Sequence, residues 1–470
     1  MLKKGIIGGA ALVVATVVVA PKFIGSYAES LVNAQVEALN QQPAYTASIT
    51  SYEAGWFHSQ AQIEIMVDVS QVDPEAPLQP ITTQLNVSLQ HGPILTQHAP
   101  GVGLVGFQID AGGDSLRESI TWSAERDLYV NNGVLGLLGG VSYVDEVSSF
   151  NYSDADITYD FSGYRGVGES SGGTFTYVGG SESFTGKVGA IDITVADLKL
   201  KFTAEANLAA MFSGAIYPSE TVLTLAQVEV SNSGMSAAST SVFGLEQLEM
   251  VAIGSLNESK DLAAISARYG IAKANVNEFA VSDVRFDLAM ANLSVEFING
   301  MTQALQAQDS MTQEAQAEMI QAYAEQNLLT LLSAEPTIAI TEFSAVLPEG
   351  AFSMAARAQA VGVDTLPEPL EDPEFWLQHT GAAAEASIDK PLLLWVLKQQ
   401  MLSALRQQVP AEQWDDAQMN QMAEQQAPMM VEMYQQQGLL VETDERYVLD
   451  FSLADGKALL NGTEIPLGQM

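Results

Sequence analysis

Apolar and polar residues alternate with a period of two over most of this chain, the pattern of strands that bury one face. Ile63, Ile65, Val67 and Val69 alternate with Glu64, Met66 and Asp68, and Glu53-Ala54-Gly55 separates this run from the one starting at Tyr45. The two runs read as antiparallel strands around a turn or bulge. A further strand is predicted from Ile81 to Gln90, stopped by His91-Gly92-Pro93. From Leu128 to Ile298, runs such as ADITYDFSGY, GTFTYVGG and AIDITVADLKLKFTAEANL follow one another, broken by Gly, Ser, Asn and Asp. No amphipathic helix of suitable length separates them. A large antiparallel sheet, sandwich or curved half-barrel is therefore expected rather than a parallel α/β fold.

Beyond the first 24 residues, helical character is confined to four places. Tyr27, Leu31, Ala34 and Ala38 share one face of a short amphipathic helix over 26–39. Gly300 to Ser333, rich in Gln, Ala and Met, reads as helix that ends at Glu335-Pro336. Helices are predicted at Pro391–Gln408, with proline at a permitted opening position, and at Gln413–Gln437. Pro428 should kink or split the last, and Gly438 should close it. Hairpins follow each Gln-rich helical stretch, turning at Pro348-Glu349-Gly350 and at Asp455-Gly456. Strand–turn–strand after helix thus occurs twice, which suggests a loose repeat of the C-terminal half. Leu366 to Pro373, with three prolines, reads as a corner.

The first 24 residues break this pattern. Lys3 and Lys4 precede an apolar run from Gly5 to Ala20 interrupted only by Thr16. A basic start followed by an apolar segment directs export with its positive end held in the cytoplasm. Val18-Val19-Ala20 is a passable cleavage site, but Pro21 is a poor residue after a scissile bond. With Lys22 snorkelling and Phe23-Ile24 at the interface, the segment approaches the ~20 residues usual for a span. A retained signal-anchor is expected. The fold class expected is α+β, β-dominated: a long antiparallel sheet, curved or sandwich-like, with a few C-terminal helices and one N-terminal membrane helix before it. Its parts are an anchor over 1–24, a β-rich periplasmic region over 25–299 and a helix-plus-hairpin region over 300–470.

Composition narrows the partners. The 57 acidic and 19 basic residues give a net charge of −38, which argues against nucleic acid because phosphate binding needs clustered Lys and Arg. The acids are scattered, as on a solvated, self-repelling surface. With no cysteine there is no disulfide framework and no thiolate chemistry.

Candidate chemistry is thin. Gly168-Glu169-Ser170-Ser171-Gly172 satisfies G-x-S-x-G, yet the strand-like Thr174-Phe175-Thr176-Tyr177 follows where a nucleophile elbow needs a helix. Gly101-Val102-Gly103-Leu104-Val105-Gly106 satisfies G-x-G-x-x-G, but an extended run follows where a dinucleotide site needs a helix N-terminus. The histidines His58, His91, His98 and His379 form no metal-binding pair, and Asp154, Asp156 and Asp160 lack the rest of a calcium loop. No catalytic, cofactor-binding or metal-binding residue is assigned, and no cofactor is expected. The methionines at 401, 419, 422, 429, 430 and 433 suit either core filling or a pliable groove for an apolar ligand.

Several short pieces spread over nearly the whole chain carry a resemblance. They are the Lys-Lys apolar start, Tyr52 with Gly55-Trp56-Phe57 and Ser59, His91-Gly92-Pro93, Pro336-Thr337-Ile338-Ala339-Ile340 with Gly350, and Tyr447 with Asp455-Gly456 and Asn461-Gly462. Together they resemble the YdgA/YihF family of proteobacterial envelope proteins, whose biochemical role is not established. The resemblance implies an inner-membrane-anchored protein with its bulk in the periplasm and no catalytic chemistry; this chain is more acidic and poorer in lysine than the family pattern. Read physically, Gly55 permits a bend, Trp56 and Phe57 bring apolar surface to a hairpin, and His91 is a hydrogen-bonded structural histidine. Two function classes follow. One is a non-enzymatic scaffold that self-associates, as a homodimer through its Gln/Met helices. The other is a module that binds or transfers a lipid or other hydrophobic ligand along an apolar sheet groove.

Overall fold

The structure, a computed structural model, describes residues 28–466 except 31, 35, 38, 41–44, 69–79, 98–99, 114–116, 118–119, 155, 208–209, 212–215, 233–239, 277–278, 307–312 and 409–415. The signal-anchor expected over 1–24 lies outside the described residues. Among the described residues no helix is long and apolar enough to cross a membrane. The chain divides into two compact units, one of residues 1–240 with 306–311, the other of 241–305 with 312–470. Antiparallel sheet dominates both, as the period-two patterning predicts.

Unit 1 opens with helix α1, described at 28–30, 32–34, 36–37 and 39–40. Its strands are β1 (Tyr45–Ala54), β2 (His58–Val67), β3 (Ile81–His91), β4 (Ile94–Leu95), β5 (Gly101–Val102), β6 (Val105–Ala111) and β7 (Tyr129–Leu135). Then come β8 (Val141–Val147), β9 (Phe150–Ser153), β10 (Ile157–Phe161), β11 (Tyr164–Ser171), β12 (Thr174–Val188), β13 (Ile191–Ala204) and β14 (Ser219–Asn232). The sheet is a meander, β1-β2-β3-β6-β7-β8-β11-β12-β13-β14, with β4 and β5 forming a separate small ribbon. Strands β10 and β11 lie end to end along β12, interrupted at Ser162-Gly163, where Gly163 has φ +97° and Ser162 Oγ accepts from Ser183 N–H at 2.8 Å. Only glycine takes that φ without strain, so the break is written locally.

Helix α1 supplies the core at one side of this meander. Ala28, Ala47, Ala61, Val87, Leu89 and Val105 are buried together, with Val32, Val36 and Leu39 of α1 packed against them. The Asn40 side chain closes the helix onto β1, donating to Ala47 C=O at 2.9 Å and accepting from Ala47 N–H at 2.6 Å. At the other end of α1, Glu29 stands close enough to Tyr52 to act on its hydroxyl. The helix therefore runs antiparallel to β1, with its first residues beside the β1–β2 turn.

Unit 2 has strands β15 (Thr240–Leu256), β16 (Leu262–Val276), β17 (Phe279–Ser294), β18 (Thr337–Leu347), β19 (Gly350–Ala360), β20 (Thr380–Asp389), β21 (Val441–Glu442), β22 (Arg446–Ala454), β23 (Lys457–Leu460) and β24 (Thr463–Ile465). Its helices are α2 (Val295–Gln306), α3 (Gln313–Gln326), α4 (Leu328–Leu332), α5 (Pro373–Gln378), α6 (Lys390–Gln408) and α7 (Asp416–Gln436). The expected repeat is visible. β17 runs into helices α2–α4 and the chain returns as β18, antiparallel to β17; β20 runs into α6–α7 and the chain returns as β22, antiparallel to β20. The first helix starts five residues before Gly300, because Ser294 Oγ accepts from Phe297 N–H at 3.2 Å and caps it. Pro428 sits inside a continuous α7, which neither ends nor splits there, and Gly438 at φ +73° closes the turn beyond the helix.

Candidate apolar ligand face and the buried histidine cluster

The residues singled out in the N-terminal third converge. His91, at the end of β3, is buried beside Ser59 on β2. Its Nδ1 lies 3.1 Å from the Trp56 carbonyl, which can only accept, so Nδ1 carries the proton and Nε2 accepts from Ser59 Oγ at 3.1 Å. Burial pushes the ring below the ordinary histidine range, with His58 adding to the effect and the Trp56 carbonyl opposing it. His91 N–H also donates to Phe57 C=O at 2.8 Å, so the hairpin tip is fastened at both backbone and ring. Tyr52 places its hydroxyl near Ser59, and burial raises its pKa. Gly92 and Gly55 are required sterically: a Cβ would lie 1.8 Å from Gly103 O in one case and 2.2 Å from His58 O in the other. This cluster is structural chemistry, a neutral histidine holding a turn.

Gly456, Asn461 and Gly462 serve turns in unit 2. Asp455-Gly456 and Asn461-Gly462 both carry two successive positive φ values, the signature of type I′ hairpins. Asn461 also donates to Gly438 C=O at 2.7 Å and accepts from Asp450 N–H at 2.8 Å, tying its turn to the end of α7.

The two catalytic-looking motifs dissolve into sheet. Ser170 lies on β11 and β12 follows after Gly172-Gly173, so no helix presents its hydroxyl. Gly101 and Gly106 lie in β5 and β6, again with no helix following. His58 and His379 are separate, His98 lies outside the described residues, and among the described residues no His, Asp and Glu cluster is arranged to hold a metal ion.

Unit 1 contains a polar cluster that spacing alone did not reveal. Tyr164 and Tyr177 hydroxyls lie 2.7 Å apart, and Tyr177 donates to Asp145 Oδ2 at 3.1 Å. Burial raises the pKa of Asp145, of Tyr177, and of Tyr143 to about 12. Gly166, Gly168 and Gly179 provide room: a Cβ on each would strike a tyrosine of this cluster at 2.0–2.2 Å. On the other side of these strands lies a groove of about 1040 Å³ lined by Arg165, Lys199 and Lys201. Those cations already pair with Glu146, Asp197 and Glu220, so the groove offers little free charge to a ligand.

The surface best suited to a ligand is one face of the unit 2 sheet. Residues paired across neighbouring antiparallel strands share a face, and one such row reads Ala252, Ala267, Leu288, Ile340, Ala356, Ala384, Phe451, Leu460. The next row reads Met250, Tyr269, Phe286, Phe343, Met354, Ala386, Leu449. Tyr269, Phe286, Phe343 and Phe352 form a chain of ring contacts, with centroids 6.2, 5.7 and 5.1 Å apart. The opposite face carries the charged series Arg268–Asp287–Arg285–Glu342.

This apolar face is incompletely covered. Helix α6 packs Leu393, Leu394 and Leu397 over Ile388 and Tyr447 at one side. Most of the remaining face is only half-buried, and Ile265, Tyr269 and Ile338 are exposed. A cavity of about 340 Å³ opens on it, lined by Met290, Leu293, Leu331, Ile338, Ala358 and Trp376 among others. That volume falls at the small end of ligand pockets.

The fold and this face define a β-dominated protein of two antiparallel units, one of them with an open apolar sheet face. By comparison of sequence, residues 2–468 match a family of bacterial proteins of unknown function (DUF945), and the chain belongs to that family. No curated protein and no solved structure matches the chain.

Proposed function

We propose that the protein is non-enzymatic and holds an acyl-chain lipid on the apolar face of unit 2. The carrying observation is a face that stays apolar across eight paired strands, β15–β20, β22 and β23, yet is left half-open. At about 4.8 Å per strand such a face extends roughly 34 Å, enough for an acyl chain that spans half of a ~30 Å hydrocarbon core. The basic and apolar first 24 residues, and the resemblance to the YdgA/YihF envelope proteins, support placing it as a single-pass inner-membrane protein with its bulk in the periplasm, within reach of lipid. The test is a phospholipid with a photoreactive acyl chain, incorporated with the full chain into proteoliposomes. Crosslinked peptides should come from β16–β20. Labelling restricted to residues 1–27, or spread evenly over the chain, would overturn the reading.

A second reading, a self-associating scaffold, draws on α7. Met419, Ala423, Ala427 and Val431 face inward there, while Met422, Met429 and Met433, at helical spacing, are exposed along the outside. Sedimentation of the full chain in detergent separates the two. A dimer abolished by Met429→Glu supports the scaffold, and a monomer removes it.

A further inference from the structure

We propose that one end of the unit 1 sheet is a rim that docks into the interface of a phospholipid bilayer. The meander brings four connections to the same end: 55–57 between β1 and β2, 92–104 between β3 and β6, 136–140 between β7 and β8, and 172–173 between β11 and β12. These four connections contain no Asp, Glu, Lys or Arg, in a chain with 57 acidic residues. A fifth connection at that end, 205–218, carries Glu205 as its single charge. At the opposite end two longer connections are acidic, with Asp68, Asp73 and Glu75 after β2 and Asp154 and Asp156 between β9 and β10, while the short turns 148–149 and 189–190 carry no charge.

The uncharged end is also where large apolar side chains stand in solvent. Trp56 and Phe57 are 44% and 47% exposed at the first tip, Ile94 and Val102 are 57% and 66% exposed at the second, and Leu138 at the third is fully exposed. Single exposed apolar residues are ordinary; several on adjacent tips, without a charge among them, are not. From the first tip to the third is about four strand spacings, or roughly 20 Å, so they can meet one planar surface together. Tryptophan and phenylalanine beside leucine is the composition that settles at the boundary of headgroups and acyl chains.

Charge points to the same occupant. An anionic bilayer repels a body of net charge −38, and the rim can approach it without bringing carboxylates against lipid phosphates; Glu29 and Glu53 lie a step behind the tips. The path of the chain provides an independent argument. Helix α1 begins beside Tyr52, at this end of β1, and finishes beside Ala47. The first described residue, Ala28, therefore lies at the rim end of unit 1.

The chain contains no cysteine, so single reporters are clean. Full-length Phe57→Cys, Leu138→Cys and Ala190→Cys variants, each labelled with an environment-sensitive fluorophore, are placed in proteoliposomes of phosphatidylethanolamine and phosphatidylglycerol brominated in the acyl chains. Bromines below the headgroups report immersion rather than nearness to a tether. Labels at Phe57 and Leu138 should lose most of their emission, while Ala190, in the β12–β13 turn at the opposite end, should keep it. Equal quenching at all three positions overturns the proposal. So does quenching of the Leu138 label by a second labelled copy in lipid-free detergent, which would make the rim an interface between copies. Failure of the rim leaves the acyl-crosslinking result on β16–β20 unaffected, so the two readings are tested separately.

Discussion

Ser59 Oγ and His91 Nε2, 32 positions apart in sequence, lie 3.1 Å apart in a buried site that the Trp56 carbonyl closes from the other side of the ring. The neutral imidazole is the form this geometry uses, and burial holds the folded-state pKa below the ordinary 6.5. The folded protein then binds fewer protons at this site than the unfolded chain. Its contribution to stability is present above about pH 6.5 and is lost as the pH falls through the lowered folded value. Denaturant unfolding should show stability rising from pH 5 to pH 7 in the parent protein, a slope that flattens in His91→Gln. Identical slopes would remove His91 as the source.

Gly92 presses against the backbone of Gly103, where an added Cβ would lie 1.8 Å from a carbonyl oxygen. Backbone cannot swing aside as a flexible side chain does. Gly92→Ala should therefore cost about 3 kcal/mol or more, the upper range for overpacking, whereas Gly101→Ala, with open space at its Cβ, should cost less than about 1 kcal/mol. Thermal unfolding of the two variants side by side tests this, and equal losses would contradict it.

Asp145 behaves opposite to most carboxylates. Burial raises its folded pKa, with the Tyr177 hydroxyl opposing, so the folded protein holds this proton more tightly than the unfolded chain. Stability from this group is present below about pH 4 and declines as the pH rises through the raised folded value. Asp145→Asn keeps an acceptor for Tyr177 and removes the buried charge. It should stabilise the protein at pH 7 by up to about 1 kcal/mol after allowing for solvent screening, and the gain should vanish at pH 3.5. A loss at pH 7 would show that the carboxylate is needed there.

How far the sequence was legible depended on the range of the interaction. Period-two alternation located the strands, and Asp455-Gly456 and Gly438 marked their turn and cap, because those signals are local. Ser294 ends β17 and caps α2, but the strand-like run FAVSDVRFDLAMANLSVEF continues past it, so the pattern places the helix start at Gly300, five residues beyond Val295. The tyrosine–aspartate cluster was hidden for a different reason. Gly166, Gly168 and Gly179 look like breakers in a line of text; only the β8–β11–β12 register shows that they clear space for Tyr177, Tyr143 and Tyr164. The unit 2 face has the same origin, since each strand announces its own alternation and none announces its partners.

Asp389 ends β20 at the point where the chain turns into α6. Its Oδ1 accepts from Arg446 Nε at 2.7 Å and its Oδ2 from Ala351 N–H at 2.8 Å, joining β19, β20 and β22 beneath the helix. Both partners are half-exposed, which reduces the value of the ion pair, but the backbone donor is left without its carboxylate if the side chain is removed. Asp389→Ala should cost about 1–2 kcal/mol and Asp389→Asn less, measured by thermal unfolding. Equal effects would assign the role to charge alone rather than to the double acceptor.

Ile338 lies on the apolar face at the mouth of the smaller cavity, 52% exposed, paired with Met290 on one side and Ala358 on the other. Because the position already meets solvent, a carboxylate there keeps most of its hydration, and Ile338→Glu should change stability by less than about 1 kcal/mol. A lipid chain lying across Met290 and Ala358 would have to bury that charge, so acyl photolabelling of β18 and β19 should fall by an order of magnitude, about the ratio that 1.4 kcal/mol of lost binding produces. Ala384 supplies the complementary test, because it lies in the middle of the face between Ala356 and Phe451. Ala384→Phe adds apolar surface and no charge, so it should block a ligand by occupying its place while leaving an apolar docking face intact. Reduced labelling in both variants fits a chain held across the sheet. Reduction in Ile338→Glu alone would mean that only the cavity mouth is used, and no reduction in either would exclude this face as the lipid site.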